Sequence, residues 1–344
     1  MVELTPLPFV ITANAAVGRR WAGLAAEILS GVAGGLICLL GAADLAGAKV
    51  LAPAANADLQ RALDLTIMAT GLLAAAIASR PVRERVARAL PIDADNPVHA
   101  LALALTVILF GVDIGVIAFT DVLATAKAQP PLTIADLVFD ETPFLIFALL
   151  GVGLFIRREL PDSASRLGLV LPAWWQAAVA LAAAGVFFVF AQQMDVLSHT
   201  WTPDVARRVD AATTHVFGGL GGPAGIVALA LVPGLCEEIL FRGALQPRIG
   251  LMATALLFTS IHTQYAFSLD TAAVLVIALG LGLLRKYTNT TTSCTCHVSY
   301  NLLVGIGVAG AVVNAAIAAE VALVAISAYA IWARRRRPAA LGEP

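Results

Sequence analysis

The chain has 344 residues, of which 59% are hydrophobic and 13% charged, with a formal net charge of -1 and a mean hydropathy of +0.86. Soluble domains carry nearer a quarter charged residues, so this composition excludes a soluble globular domain and points to a polytopic membrane protein. The cysteines Cys38, Cys236, Cys294 and Cys296 all fall in or beside apolar segments, so no disulfide framework is implied. No basic region precedes the first apolar run, and no cleavable signal peptide is expected.

Apolar windows of about 17–25 residues mark spanning helices. In chain order they fall at 22–47, 63–79, 98–124, 142–156, 168–192, 223–245, 249–267, 271–284, 291–313 and 315–333. The expected fold is an all-α bundle of about ten transmembrane helices, with the fourth and eighth windows short.

Positive charge orients the bundle. Arg80, Arg83, Arg85, Arg88, Arg157, Arg158, Arg166, Arg248, Arg285 and Lys286 follow the even-numbered helices, and Arg19, Arg20 and Arg334–Arg337 flank the ends. The other side carries only Lys49, Arg61, Lys127, Arg207 and Arg208. Both termini are therefore expected in the cytoplasm and the protein in the plasma (inner) membrane. The polar linker from Pro161 to Arg166 separates two unlike parts. Expected units are residues 1–160, about four helices of unknown role, then 166–333, and a basic tail at 334–344.

Chemistry concentrates in the second part. Glu237 and Glu238 are adjacent acids inside the apolar stretch Ile226–Leu245, where each is costly and each repels the other. Glu238 and Arg242 stand at i and i+4, so they share a helix face, in the favourable order of acid before base. Glu237 is rotated about 100° away and is left free to face a neighbouring helix. A buried ion pair explains Glu238 and leaves Glu237 unexplained.

The next helix puts Phe258 and His262 on one face, again at i and i+4. With a short basic turn at Arg248 between antiparallel helices, Glu237 lies about 15 Å from that turn and His262 about 20 Å. A third pair, His297 and Asn301, follows the polar run Thr290–Cys296. Singly, His262 reads as a packing residue and Asn301 as an interhelical hydrogen-bonder. Together with Glu237 they supply a carboxylate, two imidazoles and an amide to one pocket.

That set suits hydrolysis. Glu237, helped by His262, would take a proton from a water that attacks a carbonyl. His297 and Asn301 would donate hydrogen bonds to the oxyanion. A zinc site is the rival, since one Glu and two His can hold that metal. The chain lacks a His-Glu-x-x-His pair, however, and Cys294 and Cys296 point to different helix faces.

In order and spacing, the motifs Glu237-Glu238…Arg242, Phe258…His262 and His297…Asn301 resemble those of the CPBP family, the CAAX prenyl endopeptidase and bacteriocin-processing group also called Abi. The resemblance covers about residues 165–333. It implies a glutamate-dependent intramembrane protease without a metal cofactor: Glu237 and His262 would activate water, His297 and Asn301 would form the oxyanion hole, and Arg242 would pair Glu238. It further implies a protein or peptide substrate, lipid-anchored or free, within the bilayer. No nucleic-acid partner is expected. Two other classes stay open at this point. Asp113, Glu27 and Glu320 are intramembrane carboxylates of the kind used by ion- or proton-coupled transporters. A non-catalytic peptide-binding scaffold of the bacteriocin-immunity type would use the same pocket.

Overall fold

The structure, a computed structural model, describes residues 4–308 and 313–336. Most of the basic tail expected at 334–344, and the junction between the ninth and tenth expected helices, lie outside the described residues.

The helices are, in chain order, α1 (Leu7–Ala16), α2 (Ala22–Leu45), α3 (Ala57–Ala76), α4 (Arg80–Val86), α5 (Pro97–Phe119), α6 (Val122–Ala128), α7 (Ile134–Gly151) and α8 (Leu160–Leu167). There follow α9 (Trp174–Trp201), α10 (Pro203–Phe217), α11 (Pro223–Glu238), a π-helical segment Ile239–Leu245, α12 (Gln246–Ser260), α13 (Leu269–Tyr287), α14 (Thr290–Ile306) and α15 (Val313–Arg336). The fold is all-α, and among the described residues there is no strand. Each of the ten expected windows falls on a helix. The five additional helices are short or polar: α1, α4, α6, α8 and α10.

Among the described residues, five helices are long and apolar enough to cross a membrane, or six if the bent pair α3–α4 is one span. Pro223–Ser260 counts there as one 38-residue helix. It is in fact folded back on itself, because Gly250 adopts φ 81° and ψ 169° and breaks the helical path. Phe241 and Phe258, either side of that break, stack edge to face at 5.2 Å, as antiparallel arms require. The remaining expected spans are shorter or carry charge: α14 has 17 residues, and α7 contains Asp136, Asp140 and Glu141.

Local chemistry starts the helices where they start. Asn56, Asn96, Thr133, Ser268 and Asn289 are N-caps whose side chains accept from backbone N–H groups two or three residues on, satisfying donors that hydrocarbon cannot. In lipid, apolar burial does not drive helices together, and close backbone approach takes its place. At the α2–α3 crossing, a Cβ on Gly34 would sit 2.2 Å from the backbone nitrogen of Ala75, and one on Gly71 would sit 2.2 Å from that of Cys38. Only glycine fits there.

The two expected parts are not separate bodies. α7 packs on α11 and the π segment, and α5 packs on α12. Phe144 of α7 meets Phe241 at 5.9 Å. First-half helices therefore form part of the wall around the second-half motifs.

Candidate active site

The site is assembled where α11 ends, at its junction with the π segment. A π turn widens the helix, with the N–H of Gln246 reaching the carbonyl of Phe241, five residues back. Such segments are uncommon and concentrate at functional sites. Glu237 and Glu238 are the last α-helical residues before it, and Arg242 lies within it. Glu238 and Arg242 are both 0% exposed.

α14 reaches this junction because Gly234 lets it. A Cβ on Gly234 would lie 3.0 Å from the backbone nitrogen of Val298 and 2.7 Å from its side chain. One turn further along α11, Glu238 then meets α14 side chains directly. Ser293 Oγ donates to Glu238 Oε2 at 2.5 Å, and His297 Nδ1 lies 3.1 Å from Glu238 Oε1. Arg242 Nε stands 3.4 Å from Oε2. Glu238 is thus held from three directions.

Glu237 is held much less. It is 6% exposed, and its Oε2 is buried without a hydrogen-bond partner. Facing it, 4.0 Å away, is the other nitrogen of the same imidazole, His297 Nε2. One histidine therefore stands between the two glutamates, bonded to Glu238 and facing Glu237. A separation of 4.0 Å is too long for a direct hydrogen bond.

Phe258 is the hub of the surrounding shell. Its ring lies under the Arg242 guanidinium at 4.4 Å, a cation–π arrangement that partly offsets the burial of that charge. The ring also meets His262 at 4.8 Å and His297 at 6.0 Å, centroid to centroid. His262 Nδ1 lies 2.8 Å from the Phe258 carbonyl. A carbonyl only accepts, so Nδ1 carries the proton and Nε2 presents its lone pair. Tyr265 stacks parallel to His262 at 6.3 Å, with 6° between the planes. Among the described residues, no hydrogen bond joins His262 to Glu237.

Asn301 has a task of its own. Its amide nitrogen donates to the carbonyl of Leu229 at 3.2 Å. Residue 233, four further along α11, is a proline inside the helix, so the Leu229 carbonyl has no helical donor. Asn301 supplies one. This is the interhelical bridge that residue type alone suggests, and it leaves the second amide hydrogen of Asn301 uncommitted to that bond.

Two participants escape sequence reading. Ser293 is one helical turn before His297, so helical phase points to it, but it sits inside a run of similar hydroxyls. Glu141 of α7 lies close enough to Glu237 for their charges to interact, and its position on the Phe144 side of α7 faces α11. It falls just outside the apolar window that begins at 142, and only tertiary packing brings it in.

The scattered carboxylates do not join this cluster. Asp113 accepts from Ser260 at 2.9 Å, Glu27 is an exposed residue whose charge acts on Arg83, and Glu320 lies against Gly185 of α9. Cys294 is buried, and Cys296 packs among Ala180, Ala184, Ile277 and Leu281. Among the described residues, three ligand-type side chains converge within metal-binding distance at exposed Asp195, His199 and Asp210.

Comparison with known proteins bears on the same stretch. Residues 220–303 match the family described as Type II CAAX prenyl endopeptidase Rce1-like, a span that takes in all of the motif residues from Glu237 to Asn301. Uncharacterized protein YpbD of Bacillus subtilis (strain 168) is 30% identical over 156 residues, which is 44% of this chain and 78% of that protein. No solved structure matches the chain.

Proposed function

The chain belongs to the Rce1-like family of type II CAAX prenyl endopeptidases, and on that footing we propose that it is a glutamate-dependent intramembrane endopeptidase, with residues 166–333 as its protease unit. The observation that carries the proposal is the unequal treatment of two adjacent carboxylates. Glu238 is saturated by Ser293, His297 and Arg242, while Glu237 Oε2 is buried without a partner, 4.0 Å from an imidazole nitrogen. Structural pairing accounts for the first alone. The gap opposite Glu237 is of the length a water bridges.

In the proposed reaction Glu237 accepts a proton from that water as its oxygen bonds to the carbonyl carbon of the scissile peptide. In this reading His262, with its Nε2 lone pair free, orients the nucleophile. The oxyanion takes hydrogen bonds from the free amide hydrogen of Asn301 and from His297 Nε2. For His297 to donate there, the His297–Glu238 pair must hold a proton, and the short Ser293 hydrogen bond and the Arg242 charge fix that pair in place. Collapse of the tetrahedral intermediate breaks the C–N bond, and Glu237 returns its proton to the leaving amine. The residues do this without a cofactor. Zinc held by Glu237, His262 and His297 is the minor alternative, and its signature is activity lost to a strong chelator and restored by zinc.

The substrate class is a protein or peptide at the membrane, and both termini of the enzyme face the cytoplasm, in the plasma membrane. The test compares peptides in membrane and secreted fractions of cells carrying wild type or Glu237→Gln. Cleaved products present only with wild type are expected. An identical peptide map for a folded, inserted variant refutes the mechanism, and ion flux into liposomes that depends on Asp113 or Glu320 replaces it with transport.

A further inference from the structure

At the Gly250 end of the α11–α12 hairpin, the chain gathers Arg157, Arg158, Arg166, Arg248 and Arg285. Arg166 donates to the carbonyl of Gly243 at 3.4 Å and Arg285 to that of Arg242 at 3.2 Å, two successive carbonyls of the π segment. Arg157 donates to Asn14 Oδ1 at 2.8 Å, and Arg158 donates to the carbonyl of Val152. Arg248 lies within electrostatic range of Arg157, Arg158 and Arg166. Among the described residues, none of the five forms an ion pair with a carboxylate. Burial and the charges of Arg248 and Arg158 push Arg166 down to about 10, and burial with Arg158 and Arg248 does the same for Arg157.

Five clustered guanidinium groups, three of them held by backbone carbonyls and Arg157 by the Asn14 side chain, with no carboxylate among their partners, are an anion site waiting on its anion. The chain also spends backbone strain on them. In the tight turn that carries Arg157 and Arg158, Phe155 adopts φ 60°, a left-handed conformation that bulky residues rarely take. That places the Phe155 ring outward, 84% exposed. Along the connector that follows, Leu160 and Trp174 are also exposed, and Leu171 is 96% exposed. Arginines flanked by outward-facing apolar and Trp side chains suit the membrane interface, with phosphates at the guanidinium groups and acyl chains against Phe155 and Leu171. The connector is fixed there, since Thr290 donates to the carbonyls of Leu167 at 2.6 Å and Gly168 at 3.1 Å.

We propose that these five arginines form a binding site for the phosphate of an anionic phospholipid headgroup. The site stands independently of the protease reading and needs no activity to test it. Purified full-length protein in detergent is titrated with phosphatidylglycerol or with phosphatidylcholine of the same acyl chains, and bound lipid is counted by native mass spectrometry. Wild type is expected to prefer phosphatidylglycerol. Arg248→Gln and Arg157→Gln are each expected to weaken it by about fivefold, the effect of one basic residue at an anionic surface, with phosphatidylcholine binding unchanged. Arg248→Gln carries the test if loss of the Arg157–Asn14 bond unfolds the other variant. Equal binding of the two lipids by wild type, or a preference untouched by Arg248→Gln, overturns the proposal. So does displacement of phosphatidylglycerol by millimolar inorganic phosphate, which marks a free-anion site. Displacement by a peptide with a free C-terminal carboxylate but not by its amide marks a peptide site and overturns it equally.

Discussion

Two of the described arginines are almost completely removed from solvent, and they are treated in opposite ways. Arg83, at the end of the α3–α4 bend, is 1% exposed and spends its donors on the carbonyls of Ala94, Ile77 and Ala78 at 2.6–2.9 Å. No buried atom of it lacks a partner. Arg242 is 0% exposed, yet its Nε and Nη1 make no hydrogen bond and its Nη2 reaches Ala278 only at 3.4 Å. The carboxylates follow the same division. Asp44 in the first half accepts from Val50, Leu51 and Gln60, whereas Glu237 keeps a buried oxygen unpaired. Unsatisfied buried polar groups are few in native proteins and call for an explanation. Those of Glu237 and Arg242 sit together beside two histidines, and the proposed chemistry accounts for that pairing of unmet groups where helix fastening does not.

The comparison breaks first at His297. His297→Ala removes the one group that touches Glu238 and faces Glu237, and cleavage is expected to fall by about 10²–10³-fold while the thermal midpoint in detergent falls less than in Glu238→Ala. A melting transition lost along with activity would make His297 a fastener like Arg83.

Glu238→Ala should act on stability. It strands the Arg242 charge inside the bundle, at about 3–5 kcal/mol by the usual penalty for breaking a buried pair, read as loss of folded protein on extraction. The double variant Glu238→Ala/Arg242→Met should recover much of that. No recovery would show that the pair is not the stabilising unit.

Arg83→Met leaves up to three carbonyls without donors and is expected to destabilise by about 1–3 kcal/mol, with the cleavage rate per folded molecule unchanged. A selective loss of rate would erase the division between the two arginines.

The smallest effect separates the two tasks of Asn301. Asn301→Leu unpairs the Leu229 carbonyl, worth about 1 kcal/mol, and Pro233→Ala restores a helical donor to it. The double variant should therefore regain stability but stay slow if the amide also serves the oxyanion. Full recovery of rate would assign Asn301 to the fold alone.

Much of this was readable in the chain, and the reasons are local. Membrane composition and ten apolar windows gave the helices, and i,i+4 spacing gave Glu238–Arg242, Phe258–His262 and His297–Asn301, because those relations need only one helix. Spacing also set Glu237 apart from its neighbour. What it did not give depends on contacts between helices. That His297 stands between both glutamates follows from the close approach at Gly234, and Glu141 enters only through α7 packing on α11. The π turn has no composition signal, and the count of spans long enough to cross is lower than ten because the α11–α12 hairpin counts as one helix, α3 counts only together with α4, and α7, α13 and α14 trade length or apolarity for polar side chains.

The most direct measurement pairs rate with stability in Glu237→Gln. Removing a carboxylate that the fold does not use should leave the protein inserted, with a thermal midpoint at or above wild type, and with no detectable cleavage of a substrate found by peptide mapping. Wild-type cleavage in that variant, or a collapse of stability equal to that of Glu238→Ala, would contradict the assignment of Glu237 to the chemistry.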